Sequence, residues 1–351
     1  MIGNTKRGWI GVDLGAGAVK VAQIVRCRDG HELVGAAIVR REGPLAENSP
    51  TDCLGDEICG ALSMADQLRG QRAAGVLSMG ICDFHPVQIT DRQANADVLQ
   101  RELFASAPVD WRQRTFDSWP LETGGGPPGA TQPNRGVISL PTVEADIAAA
   151  SVASAGLDCR RLDSLPAALG RALQMMVGHQ EITLAAIDWG ISHATFFIYK
   201  NGSPQYVRSL KQCAFADVID TVTQSLTCSE EEAAALLQQH GIGSETKRRD
   251  YVAELIHDVV QMHLQRMRSE LGRTMRYLDS HRRNLKPAGV VLFGVGATVA
   301  GFPAWLTENL GLRAEVWRPN PAALALPDEL PFPVLLLAPA LAASALRWEK
   351  S

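Results

Sequence analysis

Three features that would assign the protein to a simple class are missing from the sequence. The uncharged stretch Leu330–Leu346 is broken by three prolines and is shorter than the roughly 20 apolar residues that a membrane span needs. Acidic residues outnumber basic ones by 38 to 34, so no positive field would hold nucleic acid nonspecifically. The first residues, Met1–Trp9, are polar and unlike the core of a signal peptide. The sequence therefore argues against a membrane-spanning, exported or nucleic-acid-binding protein.

Cysteine is present but follows no pattern. The seven cysteines are odd in number and scattered, and none forms the Cys-x-x-Cys pair of a metal site. We interpret them as the reduced thiols of a cytosolic protein. Hydrophobic residues make up 46% and charged residues 21% of the 351 residues, as in ordinary globular proteins. This length exceeds what one core serves efficiently, so we expect at least two lobes.

The opening segment predicts a β-hairpin around a glycine turn. Two β-rich runs between Gly8 and Arg26 are separated by residues 13–17, Asp-Leu-Gly-Ala-Gly. The pattern recurs at residues 182–210, where Asp-Trp-Gly at 188–190 separates two further runs. Asn201-Gly202 then marks another hairpin turn. We interpret the two segments as a structural repeat.

The remaining elements follow from periodicity and punctuation. A third glycine turn, residues 293–297, follows an apolar strand and precedes a predicted helix over Phe302–Asn309. Apolar residues at helical spacing predict helices over Gly55–Leu68, Thr142–Gly156, Ala233–Gln239 (with a capping box of Ser229 and Glu232) and, as one long helix, residues 252–278. The tract 123–134 predicts a loop, and Leu330–Leu346 predicts a buried strand followed by a terminal helix.

The three turns have a chemistry in common. Glycines there let backbone N–H groups approach an anion, and two opposed hairpins of this kind would cradle a triphosphate. Asp13 and Asp188 would hold Mg²⁺ through water. Each turn alone is explained as an ordinary β-turn, because Asp and Gly are the commonest turn residues. Their order and spacing, rather than any single turn, favour a phosphate site.

These motifs resemble those of the actin-like ATPase superfamily of Hsp70, actin and FtsA, and of its PilM family in particular. Residues 10–24, with Lys20, resemble the phosphate-1 motif, residues 187–202 the phosphate-2 motif, and residues 290–319 the adenosine motif. The connecting segments Gly156–Leu173 and Glu270–Ser280 resemble those of the PilM family. The resemblance therefore spans nearly the whole chain.

The resemblance implies an α/β, actin-like ATPase fold of two lobes, each with a ribonuclease-H-like mixed sheet flanked by helices. The expected first lobe is 1–180, with a 1A core of 8–74 and 156–180 and an inserted 1C-like subdomain of 75–155. The expected second lobe is 181–351, with a 2A core of 181–226 and 287–351 and a helical 2B-like part of 227–286.

The resemblance also implies roles for single residues. Those expected to contact ATP are Asp13, Gly15, Ala16, Gly17, Lys20, Asp188, Gly190, Gly294 and Gly296, with Asp13 and Asp188 holding Mg²⁺ through water. Asp163 falls where related ATPases place the carboxylate that orients the attacking water. Equally, Asp163 and Ser164 would simply start the helix that contains Pro166.

Several departures from the family pattern predict weak or lost nucleotide binding and ATPase activity. Relatives carry Ala-Glu-x-x-Lys after the second turn, whereas residues 233–237 read Ala-Ala-Ala-Leu-Leu and lack both charged contacts to the nucleoside. That loss would cost about 3 to 6 kcal/mol, enough to weaken a micromolar site to millimolar. Trp189 is expected to place a large ring in the second turn, and Val295 splits the usual double glycine of the third.

For function, the resemblance implies a cytoplasmic scaffold at the inner-membrane face of a type IV pilus or type II secretion assembly platform. The expected partner is the cytoplasmic N-terminal peptide of a PilN-like membrane protein, captured in a groove built from parts of residues 8–45 and 75–165. The membrane would be reached only through such partners, and self-association is left open. The alternatives are an active actin-like ATPase and a metabolite kinase of the same superfamily.

Overall fold

The computed structural model describes residues 7–28, 30–41, 51–89, 101–102, 110–127, 129, 132–178, 180–210, 212–242 and 251–349, with only the backbone of 51–53. The strands are β1 Ile10–Leu14, β2 Ala18–Arg26, β3 His31–Arg40, β4 Arg72–Leu77, β5 Asp83–Val87, β6 Arg114–Pro120, β7 Arg135–Pro141, β8 Asp158–Ser164, β9 Thr183–Trp189, β10 Ala194–Lys200, β11 Ser203–Leu210, β12 Val290–Phe293, β13 Ala314–Val316 and β14 Leu324–Ala325. The helices are α1 Thr51–Met64, α2 Thr142–Ser154, α3 Leu165–Val177, α4 Phe215–Leu226, α5 Glu230–Gln239, α6 Tyr251–His281, α7 Phe302–Leu310 and α8 Ala338–Ala345.

The structural repeat is confirmed by two mixed sheets of the same design. In the six-stranded sheet, order β14-β3-β2-β1-β4-β8, an antiparallel meander β1-β2-β3 is followed by α1 and by β4, which runs parallel to β1. In the five-stranded sheet, order β11-β10-β9-β12-β13, the meander β9-β10-β11 is followed by helices and by β12, parallel to β9. Both predicted Asp-x-Gly turns therefore connect the first two strands of a meander.

Turn chemistry accounts for the second hairpin of the repeat. Asn201 and Gly202 both have positive φ angles, 54° and 77°, as a type I′ turn requires. The capping box of Ser229 and Glu232 is also present, with both reciprocal hydrogen bonds formed. These local predictions succeeded because each depends on a few adjacent residues.

A third sheet, order β5-β7-β6, lies outside the two repeats. The insertion expected at 75–155 begins with β4, which lies in the six-stranded sheet, and ends with α2, which packs against α1. The third sheet itself therefore covers residues 83–141. Whether it forms a subdomain of its own stays a prediction.

Two helices, α3 and α8, lie between the two large sheets. Helix α3 reaches the five-stranded sheet through the Tyr199 hydroxyl, which donates to the Pro166 carbonyl at 2.9 Å, and through the Trp317 indole N–H, which donates to the Ala172 carbonyl at 2.8 Å. A Cβ at Gly170 would lie 2.1 Å from the Gly202 carbonyl oxygen, so helix and hairpin meet at backbone distance. Residues of both sheets and both helices consequently share one hydrophobic core.

Helix α8 lies equally close to the six-stranded sheet. A Cβ at Gly11 would lie 1.9 Å from the Ala340 carbonyl oxygen, and one at Gly8 would lie 2.5 Å from Ser344. The Ser344 hydroxyl donates to the Trp9 carbonyl at 2.6 Å and accepts from the Ile24 amide at 3.0 Å. Glycine in β1 and small residues in α8 are therefore a packing requirement.

The strand expected within Leu330–Leu346 is wrong, whereas the terminal helix is confirmed. A 3₁₀ turn over Val334–Leu337 leads into α8 instead. Pro331 and Pro333 have no amide N–H to donate to a sheet, and Pro339 sits in the first turn of α8, where it costs nothing. None of the described helices is both long and apolar enough to cross a bilayer.

We predict that Gly11→Ala destabilises the protein by about 2 kcal/mol or more, because its methyl group would overlap the Ala340 carbonyl and force β1 and α8 apart. Gly60→Ala in α1 is the matched control, since its new Cβ would meet only Val39, at 3.9 Å. That change should add about 0.5 to 1 kcal/mol of stability. Urea unfolding measures both, and equal stability of the two variants would contradict the close approach.

Candidate functional site

An ion pair beside the first turn joins two of the predicted site residues. Asp13 and Lys20 are direct partners across β1 and β2, and their carboxylate oxygen and ammonium nitrogen are 2.6 Å apart. Asp13 is buried, and the lysine ammonium lies over the turn, 3.3 Å from where a Cβ of Gly15 would be. The charge expected to meet a phosphate is therefore already paired with a carboxylate of the chain.

The second turn lies directly against the first. A Cβ at Gly17 would lie 2.6 Å from Cγ1 of Ile191, the residue that follows Gly190. The Gly190 amide donates to the His193 carbonyl at 2.9 Å, and the Gly190 carbonyl accepts from the Phe215 amide at 3.0 Å. The Ile191 side chain of the second turn thus lies directly against Gly17 of the first turn.

Asp188 is the second carboxylate of this region. Burial raises its pKa to about 7, the neighbouring Lys20 acts in the opposite direction, and Asp13 raises it further. The single positive charge of Lys20 therefore lies near two carboxylates, those of Asp13 and Asp188. At pH 7 the Asp188 carboxyl is therefore about half protonated, whereas an exposed aspartate would be ionised.

The third turn is packed against the second by its glycines. Gly294 has a φ of 79°, and a Cβ there would lie 2.7 Å from the Asp188 carboxylate. A Cβ at Gly296 would lie 2.3 Å from the indole ring of Trp189. Both glycines are thus required by contacts within the chain.

The ring of Trp189 does not enter the second turn, which corrects the expectation from sequence. Strand alternation turns it away from Asp188 into the core, where it is 3% exposed and packs against Phe215 and Phe302. Its indole N–H donates to the Cys213 carbonyl at 2.9 Å. Trp189 therefore supports the third turn from beneath.

Helix α5 closes onto the segment that follows the third turn. The Ala300 amide donates to the Leu237 carbonyl at 3.1 Å, and the Ala300 carbonyl accepts from the Ile242 amide at 2.9 Å. Ala234 and Leu237 replace the expected charged pair of relatives; Ala234 is half-buried and Leu237 is buried in the core. Their side chains stabilise packing and offer no polar group to a nucleoside.

Asp163 lies in register with Asp13, since both pair with Val76 of β4 from its two sides. Its carboxylate forms a salt bridge with Arg171 of α3, and Arg171 also approaches the Glu349 carboxylate at 3.4 Å. Both side chains of the Asp163–Arg171 pair are mostly buried. Asp163 therefore lies at the expected end of its strand, where its carboxylate is paired with Arg171. Neither of the roles considered from the sequence, orienting a water or starting a helix, included this pair.

A set of salt bridges between the two halves of the repeat, which we call the clamp, had no signal in the sequence. Arg40, at the end of β3, forms salt bridges with Glu230 and with Glu231, the latter at 2.6 Å, in the first turn of α5. The Glu231 backbone amide, then Arg40, hold the pKa of Glu231 below its usual value. All three side chains are exposed, so each pair contributes little alone. The clamp nevertheless joins the two halves of the repeat.

An apolar junction connects the third sheet to the six-stranded one. Phe84 and Trp119 stack with ring centres 5.8 Å apart and, with Met79 and Ile81, pack half-buried on the core of that sheet. The Trp119 indole N–H also donates to the Pro204 carbonyl of the second repeat. No sequence signal located this junction, because its members come from separate elements.

The fold can now be compared with solved structures. The PilM chain of a PilM–PilN type IV pilus biogenesis complex matches with a TM-score of 0.75 and 19% identity, covering 98% of this chain and 99% of that one. The chain has the actin-like fold. No protein-family model and no curated protein matches the sequence.

Two further structures with the actin-like fold match less closely. The ethanolamine utilization protein EutJ from Carboxydothermus hydrogenoformans has a TM-score of 0.55 at 16% identity, over 96% of this chain and 88% of that chain. MreB5 of Spiroplasma citri, solved with AMPPNP, has a TM-score of 0.51 at 12% identity, over 90% and 92%. At these identities the likeness shows the fold alone.

The donor set can be compared with the AMPPNP found in the MreB5 structure and with the Mg²⁺ expected from the sequence. Among the described residues, no three carboxylate, histidine or cysteine side chains gather as a metal site. Asp13 and Asp188 supply two carboxylates, but Lys20 is paired and Ile191 lies where the turns face each other. In this conformation the residues present do not fit a triphosphate between the turns.

We predict that Asp188→Asn raises stability at pH 8 by about 1 kcal/mol or more and changes it little near pH 4. The folded pKa of about 7 exceeds the ordinary 3.8, so folded protein holds the proton more tightly. Wild-type stability therefore falls as pH rises through this window, by up to about 1.4 kcal/mol per pH unit, and asparagine removes that loss. Thermal unfolding across pH measures it. A variant that is less stable than wild type at pH 8 would contradict the burial of this charge.

Proposed function

We propose that this chain is a scaffold component of a type IV pilus or related type II secretion assembly platform, placed at the cytoplasmic face of the inner membrane through its partners. The observation that carries the proposal is the end-to-end match with the PilM chain of a PilM–PilN complex, which leaves almost no part of either chain unmatched. The match to the other actin-like structures is looser over a similar extent. The expected partner is the N-terminal peptide of a PilN-like membrane protein.

We further propose that the nucleotide site is degenerate. Three contacts support this: the Asp13–Lys20 ion pair, Ile191 against Gly17, and the closure of α5 onto Ala300. Each uses a group or a space that a nucleotide would need. Binding would have to break all three, which makes a weak or absent ATP–Mg²⁺ site the simplest reading of this geometry.

An active ATPase is the second candidate, and one observation favours it. Asp13, Lys20 and Asp188 lie together at two facing turns, and MreB5, which has the same fold, was solved with AMPPNP. Against it, Asp163, the residue expected to orient water, is bound by Arg171, and the charged nucleoside contacts are replaced by the apolar Ala234 and Leu237. A scaffold needs none of these groups to be free.

The apolar junction of Met79, Ile81, Phe84 and Trp119 is our proposal for the floor of the peptide groove. It lies between the third sheet and the six-stranded sheet, within the residues expected from sequence to build the groove. Its aromatic pair is half-buried, which leaves ring surface for an apolar side chain of an extended peptide. Aromatic anchors of this kind carry much of the affinity in peptide grooves.

We predict that Phe84→Ala weakens binding of a synthetic peptide, the cytoplasmic N-terminus of a PilN-like protein, by about tenfold or more, because an anchoring ring is lost. The matched control is Phe116→Ala, also half-buried in the third sheet but on its opposite face, against Trp111. Fluorescence anisotropy of the labelled peptide measures both.

Equal losses in the two variants would place the peptide elsewhere. The scaffold proposal itself is tested separately, by co-purification of the wild-type chain from its own cells. Recovery of no membrane-anchored pilus or secretion component would overturn it.

A further inference from the structure

Helix α6 is the longest of the described helices, and one stripe along it faces solvent. Positions spaced alternately four and three residues apart stay on one side of a helix over many turns. On α6 the positions that follow this spacing are Tyr251, Leu255, Asp258, Met262, Gln265, Ser269, Gly272 and Arg276. All of them are exposed except Gly272, which is partly exposed. We call them the outer stripe.

The first half of the outer stripe is an apolar ridge. Tyr251, Leu255 and Met262 are 77%, 39% and 59% exposed, and they are three of the six large hydrophobic side chains that the described part of the chain exposes. Two acidic residues, Glu254 and Asp258, lie among them and are also exposed. Exposed apolar side chains concentrated on one helix face mark an interaction surface.

The second half of the outer stripe is a groove with basic walls. A cavity of about 500 Å³ lies between α6 and the end of α7, lined by Gln265, Arg268, Ser269, Gly272, Arg276, Asn309 and Leu310. Its depth comes from the small side chains of Ser269 and Gly272. Its charge comes from Arg268 and Arg276. The groove is therefore deep enough to receive a row of apolar side chains, and its two arginines would attract acidic side chains.

We propose that the outer stripe pairs with the outer stripe of a second copy of this chain, antiparallel and about a two-fold axis. In that arrangement the ridge of each copy lies along the groove of the other, and both contacts form at once. The acids of the first half, Glu254 and Asp258, then face the arginines of the second half, Arg268 and Arg276. A parallel pair would instead put ridge on ridge and arginine on arginine.

The outer stripe is long enough for an extended contact between two helices. From Tyr251 to Arg276 the helix runs about 38 Å at 1.5 Å per residue, roughly seven turns. The opposite charges at the two ends fix the antiparallel direction, because like charges facing each other are destabilising. A second copy of this chain always carries both halves of the outer stripe, so it offers a ridge to this groove and a groove to this ridge.

Sedimentation velocity of the full chain over a range of concentrations tests the proposal. The wild type should be a reversible dimer. Leu255→Glu with Met262→Glu should weaken it by about tenfold or more, since charge replaces two ridge side chains. Met64→Glu is the matched control, because Met64 is 67% exposed on α1, away from the stripe, and its dimerisation should equal that of the wild type.

A groove-filling variant keeps the test independent of misfolding. A Cβ at Gly272 would meet only the end of the Arg276 side chain, at 3.5 Å, so Gly272→Leu fits the monomer and improves helix propensity. It should raise the melting temperature of the monomer while weakening the dimer by about tenfold or more. A dimer unchanged by Gly272→Leu would overturn the groove contact.

A charge-reversal pair tests the direction of the two helices. Arg276→Glu and Glu254→Arg should each weaken the dimer, and the double variant should restore it, because the two residues face each other across the two-fold axis. A wild-type chain that stays monomeric at the highest attainable concentration would overturn the proposal. So would a monomer that co-sediments with anionic phosphatidylserine vesicles through Arg268 and Arg276, which would assign the groove to lipid.

Discussion

The architecture depends on two helices that are held at backbone distance between two sheets. Gly170 of α3 lies against the Gly202 carbonyl of the five-stranded sheet, and Gly11 of the six-stranded sheet lies against the Ala340 carbonyl of α8. No side chain separates these surfaces, so the spacing between the sheets is set by the backbone. That spacing brings the two Asp-x-Gly turns together. The cleft is therefore a consequence of how α3 and α8 pack.

Once the turns meet, the charges inside them have to be balanced. Lys20 pairs with Asp13 and stands near Asp188, whose pKa is raised because its burial exceeds what one ammonium group compensates. A bound cation such as Mg²⁺ would relieve this imbalance, and protonation of Asp188 relieves it as well. Ile191 lies against Gly17 at these turns, and Arg40 joins the two halves of the repeat through Glu230 and Glu231.

Features that depend on a few adjacent residues were predicted from the sequence, whereas contacts between distant segments were missed. The Asp13 and Asp188 hairpins, the Asn201-Gly202 turn and the capping box of α5 follow from residue types within a few positions, and all are present. The strand expected before α8 failed because the prolines outweighed the apolar run. The Trp189 ring, the Asp163–Arg171 bridge and the Phe84–Trp119 stack depend on tertiary packing and had no local signal. The resemblance to the PilM family, in contrast, supplied the fold, because the order of motifs survives where identity is only 19%.

The proposal that the nucleotide site is degenerate depends on Lys20 and Ile191, which would have to move for a nucleotide to bind. Isothermal titration of the wild-type protein with Mg-ATP tests it most directly, at the pH where the Asp188 carboxyl is half-protonated, about 7. We predict no saturable heat below roughly millimolar ATP, because binding would first break the Asp13–Lys20 pair and displace Ile191. A dissociation constant near micromolar would contradict it, and would show that the cleft opens for ATP despite these contacts.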